Sequence, residues 1–413
     1  MSEVLMKCRN VKEAEYSLRT MNTRSKNEAL LQIGNSLRKN SEEILIENEK
    51  DIQSARAKGI RESMIDRLRL TETRMESMIT SCEKVAGLDD PVGEVVSSSL
   101  ENDLRITQVR VPIGAIGMIY ESRPNVTLDA SILALKAGNP VLLRGGSDAV
   151  YSNIAITKAI KAGLRQSTLP ETAVEIIEDI NRENVMEMMK MKKYLSLIIP
   201  RGGASLINFV VENSLIPVIE TGVGNCHIYV DEDASVEKSI DIIVNAKTQR
   251  PGTCNSVETV LIHEKIKDVI LPPLKKRLDE DSVEIRGCRQ TAAVIDCTDA
   301  SEADWGKEFL DYILAIKVVS DVDEAIRHIM RYSTGHSEAI LTNDLNHATR
   351  FTTAIDSAAV YVNASTRFTD GEMFGFGGEI GISTQKLHAR GPVGLKELTS
   401  TKYIVLGDYA IRK

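Results

Sequence analysis

The sequence predicts an α/β protein in which helices cover both faces of parallel sheets. Three observations carry this. Between Gly138 and Gly224 a short apolar run, a glycine loop and a helical stretch recur, the pattern of strand–loop–helix units. Up to about residue 92 the apolar residues instead recur at helical spacing, as in Ala29, Leu30, Ile33 and Leu37 and then Ile44 and Ile46. From Cys226 to Val362 a second alternation of strands and helices begins. A chain of 413 residues suits two or three domains.

In chain order, the N-terminal helices form a layer that packs on a later sheet, with mixed charges on the solvated face. Pro91-Val-Gly93 ends that layer. Between Ser98 and Met118, Leu104, Ile106, Val109 and Val111 partly alternate with Arg105, Thr107 and Arg110, which reads as a projecting strand pair or an edge hairpin. Met118–Tyr120 closes a strand, Glu121–Asn125 turns, and Thr127–Ala137 is helical. Strands follow at Val141–Arg144, Val174–Ile177 and Leu195–Pro200, with helices at Ser152–Gly163, Asn184–Lys193 and after Arg201-Gly202-Gly203. In the second run, Cys226–Asp231, Val257–Ile262, Ala292–Ile295, Ile313–Val319, Ala339–Leu341 and Ala358–Val362 read as strands. Val236, Ile240, Ile243 and Val244 form a helical stripe, and Lys265–Leu278 and Val322–Tyr332 are helices. Residues 363–383 hold five glycines and few apolar anchors, a ligand-facing crossover. Thr399–Leu406 is strand-like and suits pairing with the projecting arm or a neighbour's sheet.

Composition narrows the function classes. A net charge of −8, with no long basic run and 4% aromatic residues, argues against nucleic acid as a partner. The first ten residues hold no signal segment, and no uncharged apolar run is long enough for a membrane helix. Cys8, Cys82, Cys226, Cys254, Cys288 and Cys297 are scattered without a CxxC, which suits reduced thiols of a cytoplasmic protein. The six histidines show no ligand spacing, so no metal is expected.

Chemistry concentrates around Gln249-Arg-Pro-Gly-Thr-Cys254-Asn255-Ser256. Pro251 and Gly252 break the preceding helix and force a tight loop. Its cysteine has small polar neighbours rather than core residues, which favours a nucleophile over the other reading, a buried thiol packed as a small hydrophobe. A free thiol has a pKa of about 8.5, so the site must help it ionise. Asn125, at a strand end, offers a side-chain N–H to an oxyanion or an Asx turn to the helix behind it. Arg123 suits a phosphate or carboxylate, and Arg367 a substrate carboxylate. Glycine loops before helices attract phosphates, and tight packing explains them equally. No G-x-G-x-x-G occurs, but the loop with Arg144 and Ser147 carries no acid before Asp148, which favours NADPH over NADH. Cys226 and His227 are strand neighbours that face opposite sides, so both are read as structural.

Six motifs, YESRPNVT, GNPVLLRGG, IIPRGG, ETGVGNCHIYVD, QRPGTCNSVET and VNASTRFTDGEMFGFGGEIGIST, stand in this order. Together they resemble the aldehyde dehydrogenase superfamily, and within it the γ-glutamyl phosphate reductase family, over nearly the whole chain. The resemblance implies an aldehyde-dehydrogenase-like fold: a Rossmann-type cofactor domain, an α/β catalytic domain and a small β oligomerisation arm. Residues 1–98 and 119–222 would form the NADPH-binding domain, with 363–394 returning to it. Residues 223–362 would form the catalytic domain, and 99–118 with 395–413 the arm and tail. It implies reduction of L-glutamyl 5-phosphate by NADPH, in proline biosynthesis, through a Cys254 thioester, with Asn125 and the Cys254 N–H as oxyanion hole.

Glu220 falls where oxidising relatives keep a general base; a reductase does not need one, and a strand-end carboxylate is the other reading. Cofactor contacts would fall to Arg144, Gly145, Ser147, Arg201, Gly202, Gly203 and Glu308, although Arg201 and the surroundings of Glu308 depart from the superfamily pattern. Substrate contacts would fall to Arg123, Ser365, Thr366 and Arg367. A homo-oligomer, dimer or tetramer, is implied, and the lability of glutamyl phosphate makes glutamate 5-kinase a candidate partner. The competing functions are an oxidative, hydrolytic aldehyde dehydrogenase of the same fold and a catalytically silent scaffold.

Overall fold

The computed structural model describes residues 1–412, with Ser63 described by its backbone alone. The chain divides into two compact units. The first comprises Met1–Thr221, Gly375–Gly381 and the residues from Val393 onward.

Five helices open the first unit: α1 (Glu3–Thr20), α2 (Thr23–Lys39), α3 (Ser41–Ala57), α4 (Glu62–Leu68) and α5 (Glu72–Gly87). Side-chain caps start three of them. Ser2 accepts from Leu5 N, Asn22 from Ser25 N and Thr71 from Arg74 N, which satisfies amides that a helix start leaves unpaired. The stripe read from the sequence is the buried face of α2: Ala29, Leu30, Ile33 and Leu37 are fully buried.

Strands β1 (Val95–Glu101) and β2 (Leu104–Pro112) form an antiparallel hairpin. Its two-residue turn, Asn102-Asp103, has φ of 51° and 61°, the left-handed pair that matches strand twist. The C-terminal strand Thr399–Leu406 pairs antiparallel along β2, from Thr399 opposite Pro112 to Leu406 opposite Arg105. All of β1 is exposed. The expected arm is therefore three-stranded and ends earlier than residue 118.

Ile116–Tyr120 is β3, and β3 with β4 (Val141–Gly145), β5 (Val174–Ile176) and β6 (Leu197–Arg201) forms a parallel sheet in the order β5-β4-β3-β6. Helices α6 (Asn125–Lys136), α7 (Val150–Leu164), α8 (Glu183–Met188) and α9 (Ala204–Asn213) connect or follow these strands. Gly163 brings α7 onto α2, since a Cβ there would lie 2.6 Å from the Ile33 Cα.

The second unit comprises Gly222–Phe374 and Ile382–Pro392. Its strands β7 (Cys226–Val230), β8 (Val257–His263), β9 (Glu284–Gly287), β10 (Thr298–Asp299), β11 (Ile313–Val319), β12 (Ser337–Leu341) and β13 (Ala359–Val362) form one seven-stranded sheet, order β10-β9-β11-β8-β7-β12-β13. Every pair in it is parallel. Its helices are α10 (Val236–Thr248), α11 (Lys267–Glu280), α12 (Arg289–Ala292), α13 (Val322–Tyr332) and α14 (Leu345–Ala354), and the short pair β14 (Ile382–Ser383) and β15 (Gly391–Pro392) completes it. The core joins Ile240, Ile243 and Val244 of α10 to Ile228, Val260 and Ile316 of the sheet.

Ala292–Ile295 is not a strand. It is the end of α12 and a following turn, with β9 and β10 on either side. A short apolar run does not distinguish a strand from a buried helical turn by periodicity. The segment 363–394, expected to return whole to the first domain, is shared. Residues 375–381, 393 and 394 fall in the first unit and the remainder in the second.

Candidate active site

In the second unit everything converges on the loop between α10 and β8. The two stems are stapled by a fully buried ion pair, Lys247 Nζ to Glu258 Oε2 at 2.6 Å. Ser256 Oγ donates to Ala246 O beside it. Pro251 follows the end of α10 at Thr248, and Ser256 N bonds Thr253 O at 3.0 Å, closing a turn over Cys254.

One side of this turn presses on the start of β7. A Cβ built on Gly224 would lie 1.5 Å from the Cys254 carbonyl oxygen and 2.8 Å from its Cα. Only glycine permits that approach. Gly224 N donates to Glu308 Oε1 at 2.8 Å. Asn225 Nδ2 donates to Trp305 O and Tyr332 O. Cys226 Sγ donates to Cys254 O at 3.2 Å. Burial, then the nearby Glu338, pushes the Cys226 thiol well above its ordinary range, so it stays protonated and remains a donor.

The other side meets the 365–369 turn. Thr366 Oγ1 donates to Asn255 O, and Asn255 Nδ2 donates to Thr369 O. Arg367 Nε donates to Gln249 Oε1 at 3.0 Å, and its Nη1 to Thr253 Oγ1 at 2.9 Å and to Asn255 Oδ1. Ser365 Oγ accepts from Arg367 N. Cys254 itself is half-buried. Of the sequence candidates, Cys254, Glu308, Ser365, Thr366 and Arg367 thus belong to one hydrogen-bonded network.

In the first unit the candidates gather at the carboxyl ends of β3, β4 and β6, where ligands of parallel sheets bind. Asn125 is exposed and is the first residue of α6. It makes no Asx cap; its Nδ2 donates to Asp129 Oδ2 at 2.8 Å. Burial raises Asp129 from an ordinary 3.8 to about 6, against the pull of Asn125 and Arg201. Arg123 and Glu220 are half-buried at the edges of this region.

Arg144, at the end of β4, is turned into the protein. It donates to Gly145 O and Ile180 O, and its Nε is buried without a partner. Ser147 beside it is exposed and opens a helical turn. At the end of β6, a Cβ on Gly202 would lie 2.5 Å from Glu121 Oε2. Gly203 N donates to that same oxygen at 3.0 Å. The glycine loop expected to hold phosphate is thus cradling a carboxylate at the start of α9.

Among the described residues, no group of three or more His, Cys, Asp or Glu is placed to hold a metal ion, and no helix is long and apolar enough to cross a membrane.

The family model for the aldehyde dehydrogenase family matches residues 2–295 and 286–404. The chain belongs to the aldehyde dehydrogenase family. It is an oxidoreductase, as its relatives are. A Kosmotoga olearia protein named gamma-glutamyl phosphate reductase is 60% identical over 414 residues, all of both chains. The crystal structure of gamma-glutamyl phosphate reductase from Thermotoga maritima is 56% identical, covers 100% of both chains and superposes with a TM-score of 0.98. That from Saccharomyces cerevisiae is 29% identical, over 100% of this chain and 99% of its own, with a TM-score of 0.56.

For a member of this family, two features fit a dinucleotide: the buried, partnerless Arg144 Nε and the exposed Ser147 hydroxyl on a loop whose first acid is Asp148. The sequence did not reveal Gly224, Cys226, Gln249, Asn255, Asp129 or Glu121 as supports. Gly224 and Cys226 stand in a motif already singled out, and only their packing on Cys254 shows why.

Proposed function

We propose that this chain reduces L-glutamyl 5-phosphate to L-glutamate 5-semialdehyde and phosphate with NADPH, the second step of proline synthesis from glutamate. The observation that carries the reading is full-length identity to proteins named for that reaction. The Cys254 loop supplies the chemistry. The Cys254 sulfur attacks the acyl carbon, the carbon–oxygen bond to phosphate breaks, and phosphate leaves with the electron pair. The acyl group remains as a thioester on Cys254. When bound, NADPH supplies the hydride that takes this acyl group to the aldehyde.

The Asn125 carboxamide and the Cys254 N–H act as donors to the acyl oxygen, each worth about 3–4 kcal/mol in the transition state. Asp129 holds one Asn125 N–H and so fixes the direction of the other. Arg123 and the Ser365–Arg367 turn form the substrate-binding set. Arg144, Gly145, Ser147, Arg201, Gly202, Gly203 and Glu308 hold the dinucleotide. For the second glycine loop this requires Glu121 to yield the Gly203 N–H. The enzyme works in the cytoplasm as a homo-oligomer and receives its labile substrate from glutamate 5-kinase.

Running the reaction backwards tests this. Glutamate semialdehyde with NADP should yield NADPH only when inorganic phosphate is present. Phosphate-independent turnover that Glu220→Gln abolishes would instead identify a hydrolytic dehydrogenase, because hydrolysis needs a general base. In the reductase reading, Glu220→Gln keeps the phosphate-dependent rate within about tenfold, since no base is required.

A further inference from the structure

A thiol with an ordinary pKa is a poor nucleophile at neutral pH, and the proposed reduction assigns Cys254 no general base. The structure holds a positive charge against the same loop. Three bonds fix the Arg367 guanidinium, to Gln249 Oε1, Thr253 Oγ1 and Asn255 Oδ1. Two of those partners are the residues immediately before and after Cys254. All three are neutral oxygens, so these bonds position the charge without cancelling it.

We propose that Arg367 is the fixed cation that keeps Cys254 in its thiolate form before substrate arrives, making it a positioning residue for the nucleophile. The proposal rests on Cys254 being that nucleophile. The proton leaves to solvent, the sulfur keeps the electron pair, and no base is consumed.

The surroundings agree. Burial disfavours the Arg367 charge, as does Arg250, while Asp370 and an ionised Cys254 favour it. A guanidinium does not shed its proton in a protein, so a half-buried one gains from an anion beside it. Cys226 faces the group from β7 as a neutral thiol. Glu338 and Glu258 both help keep the Cys226 thiol protonated. Lys247 is already paired with Glu258. Arg250 on the same loop is exposed, whereas Arg367 is tied to both flanks of Cys254.

The test is the pH dependence of Cys254 alkylation by iodoacetamide in the full chain without substrate, with Cys254→Ala giving the background. Wild type should show a midpoint at least one unit below the ordinary value of about 8.5. Arg367→Met should raise the midpoint by at least one unit, so that alkylation at neutral pH slows about tenfold. Arg367→Lys keeps the charge but loses the planar fork and should restore most of the shift. Arg367→Gln repeats the neutral case should Arg367→Met fail to fold.

A midpoint unchanged in the neutral variants, with only KM for the acyl phosphate raised, overturns the proposal and leaves Arg367 as a substrate clamp. A lysine variant that behaves like methionine also overturns it, because the role would then be loop geometry. Failure of the thioester reading itself is seen separately, as reductase activity surviving in Cys254→Ser.

Discussion

Gly224 has no side chain, and the Cys254 peptide occupies the space one would fill. Replacing it by alanine forces the β7 start or the cysteine turn to move, because the new carbon would overlap the Cys254 carbonyl. Gly224→Ala is expected to lower kcat at least about a hundredfold, as a misplacement near 1 Å at a reacting group does, and to cost about 1–3 kcal/mol of stability. Steady-state kinetics with thermal melts checks both. Asp129 makes the stability of the fold depend on pH. Its carboxyl is raised to about 6 by burial, so the native state retains a proton that the unfolded chain loses near pH 4. Its contribution is full below about pH 4 and is lost as pH rises through about 6. Asp129→Asn should therefore raise Tm at pH 7–8 relative to wild type and leave it nearly unchanged at pH 4. An equal effect at both would place the cause outside this titration.

At the scale of elements, the active-site loop is a strap between α10 and β8, and the Lys247–Glu258 pair holds its two ends. Both groups are fully buried, and burial pushes Lys247 down and Glu258 up to about 7. Removing one partner leaves an uncompensated charge in the interior. Lys247→Met alone should cost about 3–5 kcal/mol, and adding Glu258→Leu should recover most of it, measured by denaturant unfolding. How far this architecture could be read beforehand depended on the range of the contacts involved. Pro251 and Gly252 announced the turn, and α2 showed its buried stripe, because both signals lie within a few residues. Gly224 and Cys226 meet Cys254 only because β7 and β8 pair in the sheet, a long-range fact that no local pattern carries. Ala292–Ile295 forms a helix end and turn where the pattern predicts a strand, because four apolar residues suit both equally. Asn125 offered two readings, and the structure supplied a third partner, Asp129, one helical turn on. The glycine loop at the end of β6 was legible as a turn, but the Glu121 carboxylate it holds comes from the neighbouring strand end.

At the scale of the molecule, each unit is built on its own parallel sheet, and the three-stranded arm leaves one strand wholly exposed. Leu100, Tyr403 and Leu406 expose apolar surface on it, and an open strand edge invites pairing with another chain. In the proposed homo-oligomer this surface would lie between copies. Truncation after Leu398 removes the strand that pairs with β2, and light scattering should then find a smaller assembly than the intact chain forms. An unchanged mass would separate the arm from assembly.

In the proposed reaction Cys254 carries the acyl group between loss of phosphate and reduction. Intact-mass and peptide mass spectrometry of the enzyme, mixed with freshly made L-glutamyl 5-phosphate and no NADPH, tests it most directly. A Cys254 thioester predicts one glutamyl group on the peptide containing Cys254, lost on addition of NADPH and absent in Cys254→Ala. An adduct on any other residue, or NADPH-dependent reduction that survives in Cys254→Ala, would contradict it.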